Sequence, residues 1–340
     1  MTIDERMDLL VQLGDYLKSD DEFLMAVMHR TAYNNQWLTI ENCNKVAHAI
    51  GNNCLTRTAL ENWIKHYNYK ENNSPKKVAI ILSGNVPFAG ILDIIAVFAT
   101  GHQSLLKISD SDEYLIPHLI KQMMSWNPAA ASYFEISDSI KGFDVILTNN
   151  EGSQNPYFEK YFKKYPSIIR KEQTSIAILD GKESDAELLA LGNDIFANFG
   201  LGRENVSKIY LPHGYDFHRL LELLHEFKEI VLNSKYKNNF DYNYSLYLLN
   251  NVKYLANGCI LLTESEFLNS RIACLHYEFY QDAGTFAVNW DKKFLEGIKY
   301  IVSRQTINGL STIVPGTTQT PSLFNYADDV DTMKFLVELF

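Results

Sequence analysis

Residues 78–109 contain two periodicities of apolar positions in direct succession. Residues 78–82 are apolar and rich in β-branched side chains, which predicts a buried strand that ends in a turn. Apolar residues at spacings of three and four then predict a helix that starts near Pro87 and ends at Gly101. Residues 104–108, with apolar Leu105, Leu106 and Ile108, predict a second strand. A strand, a helix and a strand with short links are typical of a parallel sheet.

The same two patterns continue on both sides of this unit. Residues 1–74 show helical spacing and end in a polar, turn-forming stretch, so we expect an N-terminal helical arm. Residues 114–124 and the aromatic residues of 157–165 also have helical spacing, whereas 143–148 and 175–179 predict strands. Four strands that alternate with helices indicate a doubly wound sheet.

A second α/β lobe is indicated where the pattern changes at residue 185. A helical pattern over 185–199 leads into a glycine-rich turn and then into an apolar strand at 206–212. Residues 217–231 predict an amphipathic helix, and further strands are expected at 258–263 and 300–303. The sequence therefore predicts an α/β protein with two doubly wound lobes.

Length and charge limit the partners that the chain can have. Its 340 residues are enough for two lobes rather than one small core. The formal net charge of −10 argues against nucleic acid or an anionic membrane surface as the main partner, because both require clustered Lys and Arg. The four cysteines show no CxxC spacing, so neither a metal site nor a redox pair is expected.

Residues 78–100 are the sole candidate for a membrane span in the sequence. Asn85, Pro87 and Asp93 interrupt them, and an aspartate alone costs about 3 kcal/mol at the centre of a bilayer. The first residues are charged and lack the basic start and apolar middle of a secretion signal. We therefore expect no membrane span and a cytoplasmic protein.

Polar residues follow the two strands of the opening unit. They form two groups: Ser83, Gly84 and Asn85 after the first strand, and Lys107, Ser109 and Asp110 at the end of the second. Parallel sheets bind ligands at the carboxyl ends of their strands, so one interpretation is a ligand site at this edge. The other is an ordinary core unit without a ligand.

Other motifs do not define a site by themselves. The Gly200-Leu201-Gly202 turn follows a helix and precedes a strand, whereas a dinucleotide-binding fingerprint follows a strand and opens a helix. Residues 225–229 begin like a zinc-protease motif but lack its second histidine, so a charged helix face is expected. Residues 235–243 are dense in aromatic and amide side chains, which indicates either part of a ligand pocket or a structured polar loop.

Five segments in order along the chain together resemble the LuxC-type acyl-CoA reductases, a family similar to the aldehyde dehydrogenase superfamily. They are Ser83-Gly-Asn-Val-Pro-Phe88, Gly101 with Lys107, Phe199-Gly-Leu-Gly202 with Asn205-Val-Ser-Lys208, residues 235–242, and Gly316-Thr-Thr-Gln319. The resemblance implies an aldehyde dehydrogenase-like fold. Its expected parts are an N-terminal helical arm (1–74), a nucleotide-binding lobe (75–190), a catalytic lobe (191–315), and a tail that serves oligomerisation or returns to the body (316–340).

The resemblance also implies a reaction. Members of this family take an acyl group from CoA on a cysteine thiolate, and a reduced nicotinamide then delivers hydride and releases an aldehyde. Asn85 matches the oxyanion asparagine of the superfamily, and loss of such a donor costs on the order of a hundredfold in rate. The implied cofactor-binding residues are Ser83, Gly84, Lys107, Ser109, Asp110, Thr148 and Asn149.

The family favours NADPH over NADH as the cofactor. The residues are divided on this point, because Lys107 suits a 2′-phosphate whereas Asp110 and Asp112 oppose it. The expected partners are an acyl-CoA or acyl-protein donor and further copies of the same chain in a homo-oligomer.

Residue 203 departs from the family pattern. The family has a cysteine after phenylalanine, glycine, any residue and glycine, and this chain has Arg203 there, with the flanking residues retained without a gap. Arginine cannot form a thioester, because its guanidinium stays protonated and is not a nucleophile. Cys259 and Cys274 lie in apolar segments and are expected to be buried core residues rather than substitutes.

Three hypotheses remain open. The leading one is an NADPH-dependent reductase of fatty acyl thioesters that is altered at the nucleophile step, and it requires Asn85 and residue 203 to face the same space. The second is a catalytically silent acyl- or nucleotide-binding scaffold of the same fold. The third is a reductase that acts on a free carbonyl without covalent chemistry, where Arg203 binds an anion or stabilises an oxyanion.

Overall fold

The computed structural model describes residues 1–67, 69–71, 74–149, 162, 164–281, 290, 292–307, 309–326 and 330–339. The predicted helix at 157–165 lies largely outside these residues. The chain splits into two compact units, of which the first combines Met1–Glu172 with Thr320–Phe340 and the second is Gln173–Gln319.

The described helices and strands are as follows. The helices are α1 (Ile3–Leu17), α2 (Glu22–Asn34), α3 (Ile40–Asn53), α4 (Arg57–His66), α5 (Ile91–Ala99), α6 (Leu115–Trp126), α7 (Asp185–Phe196), α8 (Phe217–Leu224), α9 (Ser234–Leu249), α10 (Lys292–Glu296) and α11 (Thr332–Val337). The strands are β1 (Lys77–Ile81), β2 (Gln103–Lys107), β3 (Phe134–Ile136), β4 (Val145–Asn149), β5 (Ser167–Arg170), β6 (Thr174–Ile178), β7 (Val206–Pro212), β8 (Leu255–Ala256), β9 (Leu261–Glu264), β10 (Cys274–Tyr280), β11 (Ile298–Val302) and β12 (Thr312–Ile313).

The described strands of the first unit form a five-stranded parallel sheet in the order β3-β2-β1-β4-β5. Ile81 in β1 lies opposite Lys107 in β2 on one side and Thr148 in β4 on the other. The carboxyl ends of these three neighbouring strands therefore lie at the same edge. The strand order reverses between β1 and β4, and this reversal is the place where doubly wound sheets bind ligands.

The N-terminal helices share the hydrophobic core of this sheet. Residues from α1 to α4 belong to the same buried cluster as residues of β1, α5 and α6. Arg6 in α1 is 1% exposed, and its guanidinium donates to the Ala99 carbonyl, the Tyr69 hydroxyl and the Glu71 carboxylate. The predicted helical arm is therefore an integral layer of the first unit, and its helices begin at threonine or aspartate N-caps, whose side chains accept the first backbone N–H groups.

The C-terminal segment also belongs to the first unit. The buried Arg170 in β5 makes two bonds to the Asp93 carboxylate at 2.6 and 2.7 Å, and it donates to the Thr332 hydroxyl at 2.9 Å. The buried His102 accepts a hydrogen bond from the backbone N–H of Lys76 and lies 3.1 Å from the Leu336 carbonyl, to which its other ring nitrogen donates. These contacts fix α11 to the sheet.

The described strands of the second unit form a seven-stranded sheet in the order β12-β11-β6-β7-β10-β9-β8. Its neighbours are parallel except for β8 and β9. Residues 175–179 were expected in the first sheet, and that assignment is wrong, because β6 pairs with β7 and β11. The order of strands along a sequence does not determine which sheet a strand joins.

The unit boundaries differ from the predicted ones at 74, 190 and 315. The first unit ends at Glu172 rather than 190, because β6 and α7 pack within the second unit. The chain returns to the first unit at Thr320. The helix α5 also begins at Ile91 rather than near Pro87, with Gly90 at its N-cap in a left-handed conformation. No helix in the described part of the chain is long and apolar enough to span a bilayer.

Candidate active site

The first group of predicted site residues lies at the carboxyl edge of the five-stranded sheet. Ser83, Gly84 and Asn85 follow β1, and Thr148 and Asn149 end β4. At the neighbouring strand β2, Lys107 is the last residue, with Ser109 and Asp110 directly after it. Lys107 and Asp110 are exposed, Ser109 is half-buried and Thr148 is buried. The structure thus brings all of these residues to the ends of three adjacent strands, as the sequence predicts.

Gly84 is the point where the loops after β1 and β2 touch. A Cβ atom at this position would lie 2.6 Å from Ser111 Cβ and 2.7 Å from Ser109 Oγ, which is closer than real contacts allow. Ser109 Oγ also accepts the backbone N–H of Ser111 at 3.2 Å. Glycine is therefore required at position 84 for the two loops to pack together.

The turn that carries Asn85 has an unusual backbone. Phe88 has a φ of 56° and Gly90 a φ of 81°, and the buried Phe88 ring is 2% exposed. A left-handed conformation costs a side-chain-bearing residue on the order of 1 kcal/mol. Packing of the ring in the core of the first unit and the bonds of its backbone hold it in that conformation.

Asp112 is a buried partner of this turn. Its carboxylate is 5% exposed and accepts backbone N–H groups from Phe88, Tyr114 and Leu115, the last at 3.2 Å. Burial raises the pKa of Asp112 to about 6, and the three hydrogen bonds act in the opposite direction. Because the carboxylate points inward, Asp112 does not oppose a 2′-phosphate, and of the two aspartates expected to do so Asp110 alone is exposed.

The second candidate region is the glycine-rich turn of the second unit. After α7, three successive residues have left-handed φ angles: Asn198 at 48°, Phe199 at 60° and Gly200 at 76°. Arg203 follows in the next turn and is half-buried, and its carbonyl accepts the hydroxyl of Ser175 at 3.0 Å. The predicted helix over 185–199 therefore ends at Phe196, where the backbone changes hand.

Asn205 fixes this turn through its side-chain amide. Its Nδ2 donates to the carbonyls of Asp194 and Ala197 at 3.1 and 2.8 Å, which caps the end of α7. Its Oδ1 accepts the backbone N–H of Gly202 at 2.8 Å. One amide therefore joins the end of the helix to the backbone next to residue 203, and it uses both of its polar atoms.

Asp194 connects the same turn to the segment 316–319. Its carboxylate, which is fully buried, accepts the backbone N–H of Gly316 at 2.6 Å and both the N–H and the hydroxyl of Thr318 at 3.1 and 2.8 Å. Burial raises the pKa of Asp194, although these bonds act in the opposite direction. Two of the segments that carry the family resemblance, 199–208 and 316–319, are thus joined through Asp194 inside the second unit.

Residues 235–243 lie in the helix α9, so the expected loop is wrong. Tyr236, Phe240, Asn243 and Tyr247 are its buried residues, at spacings of four, three and four. The Tyr236 hydroxyl donates to the Cys259 carbonyl at 2.8 Å, and its ring lies 6.1 Å from that of Phe199. This helix therefore supports the glycine-rich turn.

The cysteines offer no replacement nucleophile. Cys259 and Cys274 are 0% and 6% exposed, which confirms the prediction that they lie in the core. Burial raises the pKa of Cys259 to about 11 and also raises the pKa of Cys274. Both are therefore thiols at neutral pH, and a thiol is a far weaker nucleophile than a thiolate.

Sequence reasoning missed the roles of Asp112, Asp194 and Asn205. The two aspartates carry no motif, and their partners become visible only when the backbone is folded. Asn205 belongs to the family-like segment, but its capping role depends on where α7 ends. The expectation that Asn85 and residue 203 face one space concerns residues of different units, and it stays a prediction.

Comparison with solved structures defines the fold class. Lactaldehyde dehydrogenase from Escherichia coli matches with a TM-score of 0.63 at 11% identity, over 91% of this chain and 75% of that chain. A mutant of the indole-3-acetaldehyde dehydrogenase AldA from P. syringae, solved with NAD+ and IAA, matches with 0.62 at 11% identity, over 89% and 72%. The aldehyde dehydrogenase KauB from Pseudomonas aeruginosa matches with 0.60 at 12% identity, over 89% and 72%. The chain therefore has the aldehyde dehydrogenase fold, as predicted.

Comparison with family models is more specific. The family described as acyl-CoA reductase (LuxC) matches residues 3–141. This match confirms the resemblance to LuxC-type acyl-CoA reductases over that part of the chain, which contains the N-terminal helices, β1, β2 and the turn of Asn85. The comparison with curated protein sequences gives no match.

Proposed function

We propose that this chain is a LuxC-type acyl-CoA reductase homologue that binds NADPH and a fatty acyl thioester and in which Arg203 replaces the nucleophilic cysteine. The observation that carries the proposal is the glycine-rich turn of residues 199–205. The Asn205 amide holds this turn by donating to the backbone carbonyls of Asp194 and Ala197 and accepting the N–H of Gly202, and these contacts do not involve the side chain at 203. The support for a nucleophile is therefore retained, whereas the nucleophile is not.

The edge of the first sheet suits a dinucleotide. Hydroxyl groups of Ser83, Ser109 and Thr148 and the ammonium of Lys107 lie at or near the ends of adjacent strands, and these are donors that ribose and phosphate oxygens accept. The inward position of Asp112 leaves Asp110 as the exposed one of the two aspartates expected to oppose a 2′-phosphate, which removes one argument against NADPH. Asn149 completes the proposed set next to the pyrophosphate. Some proteins of this fold bind NAD+, as the AldA structure does.

In the intact reaction a thiolate at position 203 attacks the thioester carbonyl, a new C–S bond forms, and the bond to CoA sulfur breaks. NADPH would be held by the donors at the edge of the first sheet, among them Lys107 and Ser109, and would supply the hydride that converts the acyl group into an aldehyde, with the sulfur at 203 as the leaving group. In this proposal the Asn85 amide would donate to the oxygen that becomes negatively charged in both steps, which would stabilise those transition states. A guanidinium at 203 cannot form the first bond. We therefore expect very slow turnover in this chain.

Arg203→Cys tests the proposal directly. We expect acyl-CoA-dependent oxidation of NADPH to rise by about a thousandfold or more, because loss of a nucleophile costs at least that much in other enzymes. Glu204→Cys is the matched control, since it places a thiol one residue further along the same turn. The measurement is NADPH absorbance with a series of fatty acyl-CoA thioesters, together with aldehyde detection.

A gain at 203 but not at 204 supports the reductase. If Arg203→Cys folds and binds NADPH but shows no gain, the reductase proposal fails and the second candidate gains support. If the protein binds neither NADPH nor NADH in a calorimetric titration, the cofactor part of the proposal is wrong.

The second candidate is a catalytically silent scaffold that binds an acyl group or a nucleotide. It is favoured by the same Arg203, because a positive charge in the turn can hold a carboxylate or phosphate without turnover.

We propose further that the acyl donor is acyl-CoA or an acylated protein, that the chain forms a homo-oligomer and that it resides in the cytoplasm. Light scattering on the purified protein tests the oligomeric state.

A further inference from the structure

The loop after β2 and the turn after β1 are joined at two points. The first is the close packing of Gly84 against Ser109 and Ser111. The second is the carboxylate of Asp112, which accepts the backbone N–H of Phe88 across the gap between the two loops. The loop that is proposed to hold the ribose and the turn that carries Asn85 are therefore one connected piece of structure.

Of these two contacts, the one between Asp112 and Phe88 involves the more strained backbone. Phe88 has a left-handed φ of 56°, which an aromatic residue adopts only when its surroundings force it to. Its side chain is held by the core, and its N–H is held by Asp112. Burying this carboxylate costs free energy, because the charge loses its contact with water. It lies near Cys43 in α3, and its charge adds to the effect of burial in raising the pKa of that thiol.

A carboxylate is an ordinary acceptor for the first N–H groups of α6, and the contact that such a capping role does not require is the one to Phe88. Three backbone N–H groups converge on the Asp112 carboxylate, from Phe88 on one loop and from Tyr114 and Leu115 at the start of α6. An asparagine of the same size would direct its own N–H donors towards these N–H groups, so an acceptor with two oxygens is needed.

We propose that Asp112 is a positioning residue that holds the Asn85 turn in the geometry in which the Asn85 amide can meet an oxyanion. This inference rests on the proposed role of Asn85 in the reductase reaction. Asp112 acts through the backbone of Phe88 and does not contact the reacting groups.

The first test needs no catalytic activity. Hydrogen exchange of the unmodified protein is compared with that of Asp112→Asn by mass spectrometry, and Glu113→Gln serves as the control because it removes an exposed carboxylate one residue away. We expect exchange in residues 86–91 to rise about tenfold or more in Asp112→Asn, and exchange in β4 and β7 to stay as it was. Equal exchange in residues 86–91 of both variants would overturn the inference.

The second test separates positioning from mere structural support. In the Arg203→Cys background, Asp112→Asn should lower kcat about tenfold while KM for NADPH changes by less than about threefold. In a background that also contains Asn85→Ala, the same change should lower kcat by less than about twofold, because the group that Asp112 positions is gone.

Additive effects of Asn85→Ala and Asp112→Asn would show that Asp112 does not act through Asn85, and the inference would be wrong. If Arg203→Cys is inactive, the proposed function fails independently, and a tenfold rise in exchange does not rescue the catalytic role. The two failures are therefore distinguishable.

Discussion

The turn at residues 85–90 and the turn at 197–205, in two different units, each contain a phenylalanine with a left-handed φ, Phe88 or Phe199. They are held differently: the Asp112 carboxylate accepts a backbone N–H of the first turn, whereas the second turn is held by the Asn205 amide, which donates to the backbone carbonyl of Asp194. They differ in the side chain that they present. The first turn retains the asparagine of the family pattern, whereas the second presents Arg203.

The second turn has contacts that do not require a particular side chain at position 203. They involve the Asn205 amide and main-chain atoms of Asp194, Ala197 and Gly202. The Arg203 carbonyl accepts the Ser175 hydroxyl, a bond that the backbone of any amino acid can make. These contacts would be retained if a cysteine stood at position 203, as the proposed function requires.

Among changes to the supports of the two turns, Asp194→Ala is expected to have the largest effect on the free energy of unfolding. The change leaves the N–H groups of Gly316 and Thr318 without their acceptor in the core, and it should lower the free energy of unfolding by about 3 kcal/mol. Asp185→Ala is the control, because Asp185 is exposed and its ion pair with Arg219 should be worth less than about 1 kcal/mol. Urea unfolding of both variants measures the difference. Equal losses would show that the buried carboxylate has no special role.

Gly84→Ala is expected to have the next largest effect. The new methyl group would overlap Ser109 and Ser111, so the loops after β1 and β2 must separate, at a cost of about 2 kcal/mol. Binding of NADPH should weaken as well. Gly297→Ala provides the control, since its nearest atoms are 3.4 and 3.5 Å from the added methyl group. A Gly84→Ala protein with unchanged stability and affinity would contradict the close packing of the two loops.

A smaller effect is expected in the dependence of stability on pH. The pKa of Asp112 is raised from 3.8 to about 6 in the folded chain, so the folded state binds more protons than the unfolded state between these values. Its contribution to stability is therefore present below about pH 4 and is lost as the pH rises through 6. The stability of the unmodified protein relative to Asp112→Asn should fall by about 1 to 2 kcal/mol between pH 4 and 7. A constant difference across this range would rule out a raised pKa at Asp112.

The sequence predicts the sheet edge well and the supports of the two turns poorly. The strands β1 and β2 have apolar centres, and their parallel pairing places their polar ends at the same edge of the first sheet. In contrast, the partners of Asp194 are 122 and 124 residues away in the chain, and no local pattern encodes them. The burial of Asp112 likewise depends on Phe88, which lies on another loop.

One error in secondary structure and one in sheet assignment have different causes. The helix α9 shows a stripe of buried residues at helical spacing, but the abundance of asparagine and lysine in 235–243 obscured it. The assignment of 175–179 to the first sheet failed for another reason. The strand itself was predicted correctly, but its neighbours β7 and β11 are set by tertiary structure.

The path of the chain has a consequence for biosynthesis. Residues 173–319 form a unit of their own, inserted between the two parts of the first unit. The contacts of Arg170 with Thr332 and of His102 with Leu336 can form only after these last residues of the first unit have been synthesised. The first half of the chain therefore emerges earliest but cannot complete its packing until the C-terminal segment is available.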